Sequence, residues 1–162
     1  MVVLIVDNRA GVPDETLTAA QETARRIYEA AGVRLIWVDA GSPKPDVPAA
    51  LHLTLSLPSR AGEERLLADK RIRKTVLGVA PPETARVYVF PARISRLAAS
   101  AGKPYDTVLG RVFAHEIGHQ LLPGQGHSET GIMQAKLDYR SQQPGFTERE
   151  AHSIRMLLMA SK

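Results

Sequence analysis

The 162-residue chain contains no cysteine. A disulfide framework, a thiolate metal site and a cysteine nucleophile are therefore excluded, as is latency through a metal-blocking cysteine within this chain. Without thiols the chain tolerates either side of a membrane, so its redox compartment is unspecified. Long apolar runs are also missing. The stretch Met1 to Val6 is too short for a signal peptide or a membrane span. The expectation is a cytoplasmic location for the chain as it stands, or export after loss of a leader, with no membrane partner. There is no internal repeat, low-complexity segment or long interior linker, so one domain spanning 1–162 is expected.

What is present suits a single soluble core: 44% hydrophobic and 23% charged residues. The net charge is +4, and arginine outnumbers lysine 15 to 6. That balance permits acidic or nucleic-acid partners without demanding them. The one concentrated cationic patch, Lys70, Arg71, Arg73 and Lys74, reads as a solvated face.

Val2 to Val6 reads as a buried strand. Pro13-Asp14-Glu15-Thr16 starts a helix in which Leu17, Ala20, Ala24, Ile27 and Ala31 keep helical spacing up to Gly32. Val33 to Val38 then reads as a second strand, completing a βαβ unit with a right-handed crossover. Gly41 to Pro48 is a proline-rich loop. Leu51, Leu53, Leu55 and Leu57 alternate with polar residues, the pattern of a half-buried strand. Glu63 to Lys74 fits either a helix or a surface loop. Arg86 to Phe90 is a short strand, and Ile94 to Ala101 a short helix closed by Gly102. Asp106 can cap a longer helix from about Thr107 to Leu122, stopped by Pro123-Gly124. Thr147 and Glu150 form a capping box for a terminal helix through Met159.

The long helix carries His115-Glu116-Ile117-Gly118-His119, which satisfies HExxH. Four helical residues turn the chain by about 400° and advance it by about 6 Å, so both imidazoles emerge on one face. Two neutral histidines so placed can share a zinc ion, with Glu116 beside them to accept a proton. Chance gives the pattern about 0.01 times in a chain of this composition. Leu109, Phe113, Ile117 and Leu121 form a core-facing row, and Val108, Val112, His115 and His119 an adjacent one. The histidines are thus expected at the edge of the apolar face. His127 follows eight residues after His119, across Pro123, Gly124 and Gly126, which break the helix and let the chain double back. Three protein ligands with one open position is the catalytic zinc pattern. Next comes Gly131-Ile132-Met133, an isolated methionine in a turn-like context.

The stretch HEIGHQLLPGQGHSETGIM resembles the active site of the metzincin zinc peptidases, whose pattern is HExxHxxGxxH followed by a Met-turn. The resemblance implies one Zn2+ per chain on His115, His119 and His127, Glu116 as general base, and Met133 as the Met-turn residue. It also implies a single small α+β domain of α/β type, a mixed twisted sheet packed on an active-site helix, with a C-terminal helix. Residues 1–102 would form the upper strand and helix part, 106–122 the active-site helix, and 123–162 the third ligand, Met-turn and terminal helix. The family places five residues between the second and third histidines, and this chain has seven. Glu129, Asp138 and, in the gluzincin manner, Glu148 or Glu150 therefore stand as alternative third ligands. His52 and His152 read as surface histidines. Met156 and Met159 read as helix packing, and Tyr139 as a distant candidate for oxyanion stabilisation. Leu51 to Leu57 is a candidate edge strand for binding extended peptides.

The expected function is a zinc-dependent metalloendopeptidase acting on a peptide or protein, working as a monomer, with nucleic acid not an expected partner. One alternative is a metallo-endoribonuclease, because bacterial rRNA-maturation nucleases also carry three histidines on a small α/β domain. Their pattern generally lacks a glutamate directly after the first histidine, so Glu116 favours peptide hydrolysis. The other alternative is a zinc-binding module without turnover.

Overall fold

The computed structural model describes residues 1–43, 47, 51–69, 76–136 and 144–160. The cationic patch at Lys70, Arg71, Arg73 and Lys74 lies outside them, as do Asp138 and Tyr139. The elements run β1 (Val2–Asn8), α1 (Asp14–Ala30), β2 (Leu35–Asp39), β3 (Leu51–Leu57) and α2 (Arg60–Asp69). They continue with β4 (Gly78–Val79), β5 (Arg86–Val89), α3 (Pro91–Ala101), α4 (Tyr105–Leu121) and α5 (Glu148–Ala160). Among the described residues no helix is long and apolar enough to cross a membrane.

One five-stranded sheet has the order β2-β1-β3-β5-β4. Its first four strands are parallel and β4 is antiparallel to β5, so the sheet is mixed, in a single small α/β domain as expected. In register, Leu4 stands between Trp37 and Leu53, and Leu55 stands between Val6 and Val87. That period of two presents Val2, Leu4, Val6, Leu53, Leu55, Leu57, Val87 and Val89 to one core together with α1 and α4. His52 sits beside Val3, half-buried on the opposite face.

Two expectations need correction here. Leu51–Leu57 is β3, hydrogen-bonded on both sides by β1 and β5, and so is not an edge strand. Alternating burial reports which faces are covered and carries no information about neighbours within the sheet. The edge near α4 is instead β4, two residues long and without a periodic signal of its own. Asp106 does not supply the cap of α4, which begins at Tyr105 after Pro104 with no side-chain cap. Its carboxylate instead sits in the first turn, favourable to the helix dipole, and accepts a bond from Thr107 N–H at 2.8 Å.

α4 is the central helix. From Val108 to Gly118 every residue is buried, His115 included, while His119 is half-buried at the edge of that stretch. The cause is close packing on α1, where a Cβ added at Gly110 would collide with the Ala20 carbonyl and Thr23. The Tyr28 hydroxyl on α1 donates to the Ala114 carbonyl at 3.0 Å, fixing α4 one residue before His115. The terminal helix is capped as read: Thr147 N–H donates to Glu150 Oε2 at 2.8 Å, and Glu150 N–H to Thr147 Oγ1 at 3.3 Å.

Candidate metal centre

Helical spacing brings His115 and His119 together with their Nε2 atoms 3.1 Å apart. Tetrahedral zinc with bonds of about 2.0–2.1 Å spaces its ligand nitrogens by about 3.3 Å, so this pair fits one ion. His115 Nδ1 lies 2.8 Å from the Ile132 carbonyl oxygen, which can only accept. The proton therefore resides on Nδ1, and Nε2 keeps its lone pair for a metal. Burial pushes the His115 pKa down, and it pushes His119 to about 4 with help from the neighbouring imidazoles of His115 and His127. In the metal-free protein both rings are thus held neutral at pH 7, the form that binds metal.

The third histidine arrives through the turn after α4. Gly124 adopts φ 75°, and Gln125 N–H donates to the Leu122 carbonyl at 3.0 Å. The His127 ring then comes to 5.2 Å from His115 and 5.0 Å from His119, centre to centre. One donor atom from each of the three histidines lies within 4.8 Å of the others. His115 is buried, His119 half-buried and His127 exposed, so the group opens to solvent on the His127 side. This donor set, three imidazoles and no thiolate, suits zinc.

Beneath the histidines the chain folds back on itself. Ser128 N–H donates to the Met133 carbonyl at 3.0 Å, and Ile132 N–H to the Gly145 carbonyl at 2.8 Å. Gly131 has φ 80°, and a Cβ there would lie 2.5 Å from the Gly145 carbonyl, so glycine is required on both counts. Met133 is fully buried against α4. A Cβ on Gly118 would stand 2.5 Å from Met133 Sδ and 3.2 Å from Phe146 Cε1. The glycine inside the motif is what admits the methionine.

Glu116 is buried on the other flank, and burial pushes its carboxyl up to about 8 in the metal-free protein. Its wall is β4: a Cβ at Gly78 would lie 2.6 Å from Glu116 Cγ and 2.8 Å from Cδ. Gln120 Nε2 donates to the Pro81 carbonyl at 2.9 Å, tying the turn after β4 to the same helix. Gly78→Ala is therefore expected to force either β4 or the Glu116 side chain to move. The expected cost is about 1–3 kcal/mol of stability, the usual penalty of overpacking, measurable by urea unfolding.

Of the sequence candidates, the structure gathers His115, His119 and His127, with Glu116 alongside and Met133 below. Glu129, Glu148, Glu150, His52 and His152 do not join the cluster. Glu150 is engaged in capping α5, and His152 is exposed on that helix. Sequence reasoning missed Gly78, the Ile132 carbonyl and the Gln120 contact. Gly118 offered a signal, because an interior helical glycine costs about 1 kcal/mol against alanine and so suggests close packing. Gly78 and a backbone carbonyl offered none.

No protein-family model matches the chain, and no curated protein sequence does. Among solved structures it is similar to a zinc-dependent peptidase from Methanocorpusculum labreanum. The identity is 16% and the TM-score 0.56, over 98% of this chain and 100% of that one. It is also similar to TM1509 from Thermotoga maritima, with 13% identity and TM-score 0.45 over 99% and 89% of the two chains. At 16% identity the first likeness establishes a shared fold.

Proposed function

We propose that this protein is a zinc-dependent metallopeptidase of the metzincin-like type, with one zinc ion held by His115, His119 and His127. The observation that carries the reading is the convergence of three imidazoles, His115 and His119 from α4 and His127 from the chain after it, with one buried carboxyl beside them. A shared fold with a protein described as a zinc-dependent peptidase supports it. Zinc, when bound, supplies Lewis acidity that polarises the scissile carbonyl and makes water easier to deprotonate. Glu116 takes the proton of the attacking water and passes it to the leaving nitrogen. Its setting against Gly78, where burial raises the carboxyl pKa in the metal-free protein, holds it beside the histidines. Ile132 orients His115, and Met133, in the Met-turn role, provides a packed apolar floor.

The substrate groove belongs beside β4. Among the described residues nothing pairs with the outer edge of this strand, and Gly78 within it touches Glu116. An extended peptide pairing there lies next to the general base, with its backbone as the main determinant of binding.

Incubation of zinc-loaded protein with an unstructured protein substrate and, separately, with single-stranded RNA tests the reading. Cleavage of the polypeptide and intact RNA are expected. Cleavage of RNA alone would establish the nuclease alternative, and full zinc with neither polymer cut would favour a module without turnover.

A further inference from the structure

β4 is only two residues long, shorter than the usual strand of about 3–10 residues. Its ladder to β5 places Gly78 opposite Val89 and Val79 opposite Tyr88, extended by one bond from Phe90 N–H to the Leu77 carbonyl at 2.9 Å. So short a ladder gives little grip of its own. Two side chains from different helices hold the chain just outside it. Before the strand, Arg93 Nη1 on α3 donates to the Val76 carbonyl at 2.9 Å. After it, Gln120 Nε2 on α4 donates to the Pro81 carbonyl at 2.9 Å. Between these two points lies Gly78, the wall of Glu116.

Arg93 is itself held in place. Its side chain is 10% exposed, and its Nε pairs at 3.2 Å with Oε1 of Glu63 on α2, whose side chain is 5% exposed. The guanidinium carbon also lies 5.6 Å from the centre of the Phe90 ring. Burying an ion pair costs desolvation of both charges, so stability alone is a weak reason for this one. What the guanidinium adds is direction. Its planar fork fixes several donors at once, so the carboxylate that orients Nε also aims Nη1 at Val76. A lysine ammonium on its flexible stem meets the charge without fixing the second donor.

We propose that Arg93 and Gln120 are positioning residues for the peptide substrate, holding the two ends of β4 so that its outer edge is preformed for an extended chain. The proposal rests on the peptidase reading and on peptide pairing along β4. A loose strand has to be ordered when the peptide binds, which subtracts from affinity. Bound substrate and transition state use the same edge, so loosening β4 raises KM and leaves kcat nearly unchanged.

Zinc-loaded parent, Arg93→Lys and Gln120→Met are compared on an extended peptide, with zinc measured on the same preparations. KM is expected to rise about tenfold in Arg93→Lys and about fivefold in Gln120→Met, with kcat within about twofold and zinc unchanged. Amide exchange of the substrate-free protein gives a second readout, independent of activity. Alternation from the Leu77–Phe90 bond turns the Val79 N–H towards β5. In both variants its exchange is expected to quicken about tenfold more than that of Leu55 in the central strand β3, which separates local loosening from lost overall stability. Unchanged KM, a kcat that falls as far as kcat/KM, or Val79 exchange that only keeps pace with Leu55 would each overturn the proposal. If Arg93→Lys fails to fold, Gln120→Met decides alone, since methionine keeps the length of the side chain and loses only the donor. A parent that cuts no peptide overturns the peptidase reading and the proposal with it, so the parent alone tells the two failures apart.

Discussion

Glu116→Gln is expected to lower peptidase kcat by about 10²- to 10⁴-fold while zinc content stays near one per chain. The substitution keeps the shape of the side chain, so the wall formed by Gly78 and the packing of α4 are undisturbed. It removes only the capacity to accept a proton and deliver it to the leaving nitrogen. KM is expected to change little, because the proposed peptide pairing along β4 would use backbone groups and not this carboxyl. Zinc by elemental analysis and steady-state cleavage of a peptide, on the same preparations, separate the two effects. Equal kcat in the variant and the parent would remove Glu116 from the chemistry. Loss of zinc together with activity would mean that Glu116 supports the metal site.

The histidine pair was legible in the sequence because helix geometry alone dictates it: positions four apart on any straight helix share a face. The return of His127 was legible for a related reason, since Pro123, Gly124 and Gly126 leave the helix no way to continue. The surroundings of the motif were not. Two apolar rows on α4 suggested a helix with one wet side, whereas the small residues Gly110 and Ala114 let α1 cover that side. Smallness in a helix is ambiguous until its neighbour is known. In the same way the Leu51–Leu57 alternation announced a strand with one core face, yet its interior place depends on β5, about thirty residues later. Glu63 stood within a densely charged run and gave no sign of burial. Its pairing with Arg93 on another helix is a purely tertiary event. What the sequence carried was local periodicity and chain reversal. What it withheld was which surfaces meet.

Replacing the proposed zinc ligands is expected to have the largest effect on the metal itself. His119→Ala should remove most of the zinc, because it deletes one of two nitrogens already set 3.1 Å apart. His127→Ala should weaken binding by more than about 100-fold, exceeding the 10- to 100-fold typical of losing a group that only holds a ligand from behind. The extra spacing between His119 and His127 does not argue for a smaller effect. The turn at Gly124 and the Ser128–Met133 bond already return His127 to its partners, so the seven-residue gap is absorbed before the metal is met. His152→Ala and Glu148→Gln should leave zinc affinity unchanged, since neither residue belongs to the cluster. Glu150→Gln is the informative control. It weakens the capping box with Thr147 and should cost about 1 kcal/mol of stability, with zinc affinity retained. Competition titrations against a chelator of known affinity, run beside urea unfolding of the metal-free variants, resolve metal loss from fold loss. A large affinity loss in Glu148→Gln or Glu150→Gln, with none in His127→Ala, would transfer the third ligand to α5 and overturn the three-histidine centre.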